Sequence, residues 1–182
     1  MAALKGTNPN GTDVLIKSSS DGSAYVAANI KKEITKKSID GGAFCWTSAN
    51  TDIDITDTRL FIKNTGDNFL ILDRAVFNPS NVVCRWTVGI GSATTTPAGT
   101  LITPVNMNQR FSTAAYDALA YDDETAVADA TAMFVVTTST VESQVIPLDG
   151  IILAKNQYIQ INQSTESTSG QVSVFGYFTS EI

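Results

Sequence analysis

Val82-Val-Cys-Arg-Trp-Thr-Val-Gly-Ile90 alternates with a period of two. Val82, Cys84, Trp86, Val88 and Ile90 fall on one face and Val83, Arg85, Thr87 and Gly89 on the other, the pattern of a strand with one face in a core. That spacing predicts Trp86 in the interior. The run 171–179 repeats the pattern, with Val172, Val174, Gly176 and Phe178 opposite Ser173, Phe175, Tyr177 and Thr179. Both of its faces carry aromatics, so one is expected to cover a partner subunit. In 157–163, Ile159 and Ile161 point inward and Tyr158, Gln160 and Asn162 outward. Asp149-Gly150 and Lys155-Asn156 are the two candidate reversals before that strand.

Working outward, the chain from Gly41-Gly42 onward is a succession of short β-prone runs separated by Gly, Asn, Asp, Ser and Thr clusters. The candidate strands are 43–48, 52–63, 68–78, 82–90, 99–103, 132–140, 144–154, 157–163 and 171–179. About eight antiparallel strands without helical repeats imply two sheets packed face to face with Greek-key connections. The expected fold is all-β, a jelly-roll-like antiparallel β-sandwich over residues 40–182 with a short N-terminal arm. An immunoglobulin-like sandwich would place its cysteines on facing strands with a Trp between them, whereas Cys45 and Cys84 each have a Trp one or two residues on in their own run. The alternation lapses between Ser92 and Ala132, so a long loop is expected at about 92–131, with a helical turn near 112–120 where alanines gather.

Residues 1–39 read differently. Asp21-Gly22 between two β-prone runs is a hairpin signal, and in Asn29-Ile-Lys-Lys-Glu-Ile-Thr-Lys-Lys-Ser-Ile39 the isoleucines are too sparse for a core strand and too irregular for a firm helix. The net charge of the chain is −6, but residues 1–39 carry six lysines against three acids, net +3, leaving −9 on the remainder. A basic arm on an acidic body is suited either to an acidic partner surface or to guarding a strand edge with solvated lysines. The pI of about 4.5 gives the whole chain no bulk attraction for nucleic acid or an anionic membrane.

The chain contains no histidine, which excludes Ser-His-Asp and Cys-His catalysis, histidine metal sites and His-based proton transfer. Charged residues make up 16% of the chain against a usual share of about 25%, so Ser, Thr, Asn and Gly carry much of the polarity. No run approaches the ~20 apolar residues of a membrane span, and MAALKGTNPNGTD lacks the apolar core of a signal peptide, so synthesis in a cytoplasm without export by that route is expected. The two cysteines, in the similar short contexts Phe-Cys-Trp and Val-Cys-Arg-Trp, far apart in sequence and with no metal-ligand spacing, are expected to be buried reduced thiols.

Few residues suggest chemistry. Asp52, Asp54 and Asp57 would offer hard oxygen ligands, but the twelfth position counted from Asp52 is Lys63 rather than the Glu of an EF-hand, and a solvated strand face is the simpler account. Asp122-Asp-Glu124 with Asp129 is a second acidic group that could bind a cation or a basic arm, with a charged loop tip the simpler account. Gly89-Ile-Gly91 has no third glycine in register and no helix after it, so it is no dinucleotide site. A glycosidase pair would need two carboxylates at a set distance, which spacing in sequence does not supply. Tyr116, Tyr121, Asp122 and Asp123 are the candidate glycan or partner-binding loop, beside Phe111 and Trp46. No catalytic residue, cofactor or metal is assigned, and the expectation is a protein that is not an enzyme.

The passages Phe69-Leu-Ile-Leu-Asp-Arg-Ala-Val-Phe77, Val82 through Ile90, Thr103-Pro-Val-Asn-Met-Asn108, Leu148-Asp-Gly-Ile-Ile-Leu153 and Gly170-Gln-Val-Ser-Val-Phe-Gly-Tyr-Phe178 together resemble the small jelly-roll head decoration, or cement, proteins of tailed bacteriophages. The resemblance covers roughly residues 60–182 and lies in strand texture. It implies a trimer on the outside of a virion that staples neighbouring major capsid subunits, often through an N-terminal arm. Lys31, Lys32, Lys36 and Lys37 are then the positions expected to contact an acidic capsid surface. The implied partners are the major capsid protein and two further copies of the chain, with no nucleic acid and no membrane. The alternative is a host-receptor or carbohydrate-binding domain of a phage fibre or spike, which would share the β texture.

Overall fold

The computed structural model describes residues 4–7, 13–18, 24–26, 33–49, 57–78, 82–92, 98–108, 110, 115–125, 130–163 and 170–180. The chain forms two compact units, residues 1–32 and residues 33–182. In the first, β1 (Leu4–Thr7), β2 (Asp13–Ser18) and β3 (Ala24–Val26) make an antiparallel sheet in that order, with Ile16 opposite both Leu4 and Val26. The hairpin expected about Asp21-Gly22 joins β2 to β3, and its turn lies outside the described residues.

The second unit begins with α1 (Glu33–Ile39), which the sequence analysis had placed in the arm. Ile34 is buried, and the helix packs on β4 (Ala43–Thr47) and on the last strand, which ties it to the sandwich. Glu33 in the first turn and Lys36 and Lys37 in the last complement the helix dipole. Gly41 ends it at φ +77°, the left-handed position in which the Gly42 amide reaches the carbonyl of Lys37 at 2.8 Å.

The strands that follow are β5 (Asp57–Asn64), β6 (Phe69–Asn78), β7 (Cys84–Ser92), β8 (Thr100–Ile102), β9 (Val105–Asn106), β10 (Ala118–Asp122), β11 (Glu124–Thr125), β12 (Thr131–Thr138), β13 (Gln144–Leu153), β14 (Gln157–Gln163) and β15 (Gln171–Thr179). One sheet runs β12-β7-β14-β5-β10-β8, with β11 on β5, and the other runs β13-β6-β15-β4-β9. Set aside the four short strands β8 to β11 and a rule appears. First pairs with last, β4 with β15; then β5 with β14, β6 with β13 and β7 with β12, every pair antiparallel. That nested pairing is one long hairpin rolled into two sheets, the eight-stranded jelly roll.

The alternation in the sequence is realised in the core. Cys84, Trp86 and Val88 of β7, Ile159 and Ile161 of β14, and Val172 and Val174 of β15 are all fully buried between the sheets. Trp86 packs on Phe77 at 5.6 Å between ring centroids and donates from Nε1 to Thr138 Oγ1 at 2.9 Å. Gly170, at φ +133°, lies so close that a Cβ there would stand 3.1 Å from the Trp86 ring. Val82 precedes the strand and is exposed. The reversal before β14 is at Lys155-Asn156, with Asn156 at φ +67°, while Gly150 lies within β13, where its pairing with β6 shifts register.

Two expectations are corrected. Residues 92–131 do not form one long loop, since β8, β9, β10 and β11 lie within them. Nor do the alanines make a helical turn among the described residues. Ala118 and Ala120 are strand residues whose small side chains fit against the core beside Asn64 and Ile62, and pairing with β5 overrides alanine's helical preference. Tyr158 and Gln160 do face outward but are buried, because Tyr158 stacks on Phe61 at 4.9 Å and forms a second small cluster with Tyr121 and Ala130 on that outer face.

Candidate functional site

Of the basic positions, Lys36 is exposed and Lys37 half-buried on the last turn of α1, and Lys31 and Lys32 lie outside the described residues. Helical geometry turns Lys36 and Lys37 by about 100° from one another, so they make a spread of charge rather than a fork. Asp52, Asp54, Phe111 and Asp129 also lie outside the described residues.

The four residues of the candidate binding loop do not converge. Tyr116 is exposed and rests on Phe44, near the start of β4, with ring centroids 5.8 Å apart. Asp122, six residues on, reaches Ala49 beyond the other end of β4. Tyr121 points to the opposite side of β10 from Asp122 and packs on the Phe61–Tyr158 stack. Asp123 is exposed at φ +54° on the bend between β10 and β11. Alternation along a strand separates these side chains.

Asp122 has a structural task. Its Oδ2 accepts from the Ala49 amide and its Oδ1 from the Asp123 amide at 2.9 Å, and its side chain is buried. Burial pushes its carboxyl above the ordinary carboxylate range, against the opposing pull of the Ala49 amide and the positive charge of Arg59. Arg59 is itself fully buried. It is the extra residue of a bulge where Leu60 pairs with Ile161 and Thr58 with Asn162, and its Nη2 and Nε donate to Gln163 Oε1 at 2.9 and 3.3 Å. Gln163 in turn donates to Cys84 Sγ at 3.2 Å. Nothing in the local sequence announces this polar plug, because it depends on a register shift between strands about a hundred residues apart.

Both cysteines are free thiols, Cys84 in the core and Cys45 half-buried on the outer face of β4, where burial pushes its thiol up. Arg74 lies 4.3 Å above the Phe175 ring and pairs with Asp73 at 2.6 Å, so the outer face of β6 and β15 carries little unbalanced charge. Among the described residues no group of three His, Cys, Asp or Glu side chains stands together as a metal site, and no helix is long and apolar enough to cross a membrane.

A groove of about 450 Å³ opens beside the start of β12. Ile90, Met133, Ile152 and Leu153 line it together with Ser92, Thr131 and Gln157. It lies at the edge of the sandwich and holds no charged side chain. The exposed apolar residues lie at the edges too. Met133 and Val135 of β12 and Val145 of β13 are about half exposed, and so are Leu101 of β8 and Val105 of β9. The uncharged run Thr131-Ala-Met-Phe-Val-Val-Thr-Thr138 was the available sequence signal for such an edge. No known family model matches the chain, and no curated protein is significantly similar to it.

Proposed function

We propose that the protein is a non-catalytic structural component of a tailed-phage virion, a homotrimer that decorates the capsid and bridges major capsid subunits. The observation that carries this reading is where the exposed apolar surface lies: on the edge strands β12, β13, β8 and β9 of the two sheets, with an uncharged groove beside β12. Patches of that kind suit protein–protein contact. The jelly roll is in keeping with this, as an architecture frequent in viral capsid and lectin domains, an association at the level of fold. The acids of the candidate binding loop are divided, Asp122 to the interior and Asp123 to solvent. Under this proposal Lys31, Lys32, Lys36 and Lys37 meet the acidic capsid surface, and symmetric multivalency makes individually weak contacts lasting.

The test is co-sedimentation of the protein with undecorated heads of the parent phage. Binding that weakens as salt is raised past the ~10 Å screening length of 0.1 M supports the proposal. Absence of binding to heads, together with adherence to host cells or glycans, overturns it in favour of a receptor-binding domain.

A further inference from the structure

Two Asp-Gly pairs fall among the described residues, Asp40-Gly41 and Asp149-Gly150, while Asn10-Gly11 and Asp21-Gly22 lie outside them. An aspartate followed by glycine is able to close a ring on itself, because the next residue has no Cβ to crowd the approach of its amide nitrogen to the side-chain carboxyl. In a folded chain the outcome depends on what holds the two residues, and here the two pairs are held very differently.

Around Asp40 the backbone is engaged. The Asp40 amide donates to the Lys36 carbonyl at 3.2 Å and the Gly41 amide to the Ser38 carbonyl at 3.1 Å, which closes the end of α1. The Gly41 carbonyl accepts from Asn106 Nδ2 at 2.7 Å, and Gly41 is buried. The nitrogen that would attack is already in use.

Around Asp149 the strand is loose. Pro147 pairs with Arg74 and Ile151 with Leu72, so Leu148, Asp149 and Gly150 all stand opposite the single residue Asp73. Leu148 and Ile151 are buried and anchor this bulge on either side, while Asp149 and Gly150 are exposed. Gly150 has φ +98°, and a Cβ built on it would meet no atom within 4 Å. The Asp149 carboxyl joins no hydrogen bond or ion pair with the described residues. β13 is also the last strand of its sheet.

We propose that Asp149 isomerises to isoaspartate in the folded protein, a covalent modification for which the β13 bulge is the site and from which Asp40 is protected. The Gly150 amide nitrogen gives up its proton and attacks the Asp149 side-chain carboxyl carbon. The new C–N bond closes a succinimide ring as one carboxyl oxygen leaves as water. Water then adds to either ring carbonyl. Breaking the new C–N bond restores aspartate; breaking the older one, at the main-chain carbonyl carbon, leaves the chain running through the side-chain carbon, longer by a methylene, with the former main-chain carbonyl as the free carboxylate. One water leaves and one enters, nothing is oxidised or reduced, and no co-reactant is needed. The added methylene falls where the ladder with β6 is already out of register, so pairing on both sides survives. The proposal does not rest on the function proposed above.

The experiment ages the full chain in heavy-oxygen water at neutral pH, folded and, in parallel, denatured in guanidinium chloride. Trypsin delivers the two aspartates on separate peptides, 38–59 and 111–155, and electron-transfer fragmentation locates isoaspartate within each. In the folded protein, isoaspartate carrying one heavy oxygen is expected to form at 149 at least about tenfold faster than at 40, because the Gly41 amide must first give up its hydrogen bond. In the denatured chain the two rates should converge, which assigns the difference to the fold rather than to the dipeptide. Asp149→Glu, whose ring closure is one atom larger and slower, should remove the signal at 149 and leave that at 40 unchanged. Equal rates in the folded protein, or no isoaspartate at 149, overturn the proposal. A ratio that persists undiminished in the denatured chain overturns the role of the bulge.

Discussion

Replacing Thr138 with Val removes a single atom's function from the middle of the core. Thr138 and Trp86 are both fully buried, and the Trp86 Nε1–Thr138 Oγ1 bond is 2.9 Å long. Valine fills the same volume but leaves the indole N–H without its acceptor, and a buried donor deprived of its partner costs about 1–3 kcal/mol. At about 2–4 °C per kcal/mol for a chain of this size, the melting temperature of Thr138→Val should fall by roughly 2–12 °C. Trp86→Phe should itself be destabilising, because it removes ring area that packs on Phe77 and against Gly170. In the Trp86→Phe background there is no indole left to satisfy, so Thr138→Val should cost within about 0.5 kcal/mol of nothing, and the cycle should return a coupling of about 1–3 kcal/mol. Urea unfolding of the four proteins, followed by far-ultraviolet circular dichroism, measures every term. Equal costs of Thr138→Val in both backgrounds would refute the assignment of this side-chain bond as a stabilising contact between β7 and β12.

Asp122 gives a pH prediction. Its carboxyl is raised in the folded state, so the folded protein holds that proton more tightly than the unfolded chain, and its contribution to stability falls as pH rises from the ordinary Asp value through the raised one. The melting temperature of the unaltered protein relative to Asp122→Asn should therefore improve as the buffer is taken from pH 7 toward pH 4, and a flat difference would count against it. Gly170→Ala should destabilise by about 1–3 kcal/mol, from the backbone at φ +133° and the approach to Trp86, and more than Gly150→Ala, where φ is +98° but the space is open. A fragment of residues 33–182 should melt cooperatively, whereas one beginning at residue 40 should lose several degrees because the buried Ile34 goes with α1, which packs on β4 and β15. Differential scanning fluorimetry compares the two.

Strand positions were legible where one face alone is buried. β7 and β15 alternate cleanly, and Trp86 could be placed inside from its neighbours alone. The fold class followed from strand number and connection length. The nested pairing did not, since Cys45 meets Phe175 across 130 residues and no local signal records that. Arg59 was illegible for the same reason: a buried guanidinium follows from one slipped residue in the β5–β14 register. Among the candidate site residues, Asp122 and Tyr121 look like one polar cluster in sequence, yet adjacency along a strand sends one to the interior and the other to the outer face. Lys36 and Lys37 were legible as charges but not as helix, because α1 is held by its packing on β4 and β15 rather than by its own propensity.

The nested order bears on how the chain is made. β15 lies between β6 and β4, so until residue 179 has left the ribosome that sheet has a vacant slot at its centre and two interior strands with open hydrogen-bonding edges. A nascent chain waiting in this state is exposed to strand exchange with its neighbours on the same message, and every pairing that closes the slot is long in sequence and therefore slow. Translation that stops at residue 170 would yield no slightly shortened sandwich. It would yield a chain with its middle missing, a substrate for aggregation or for the proteases that clear it.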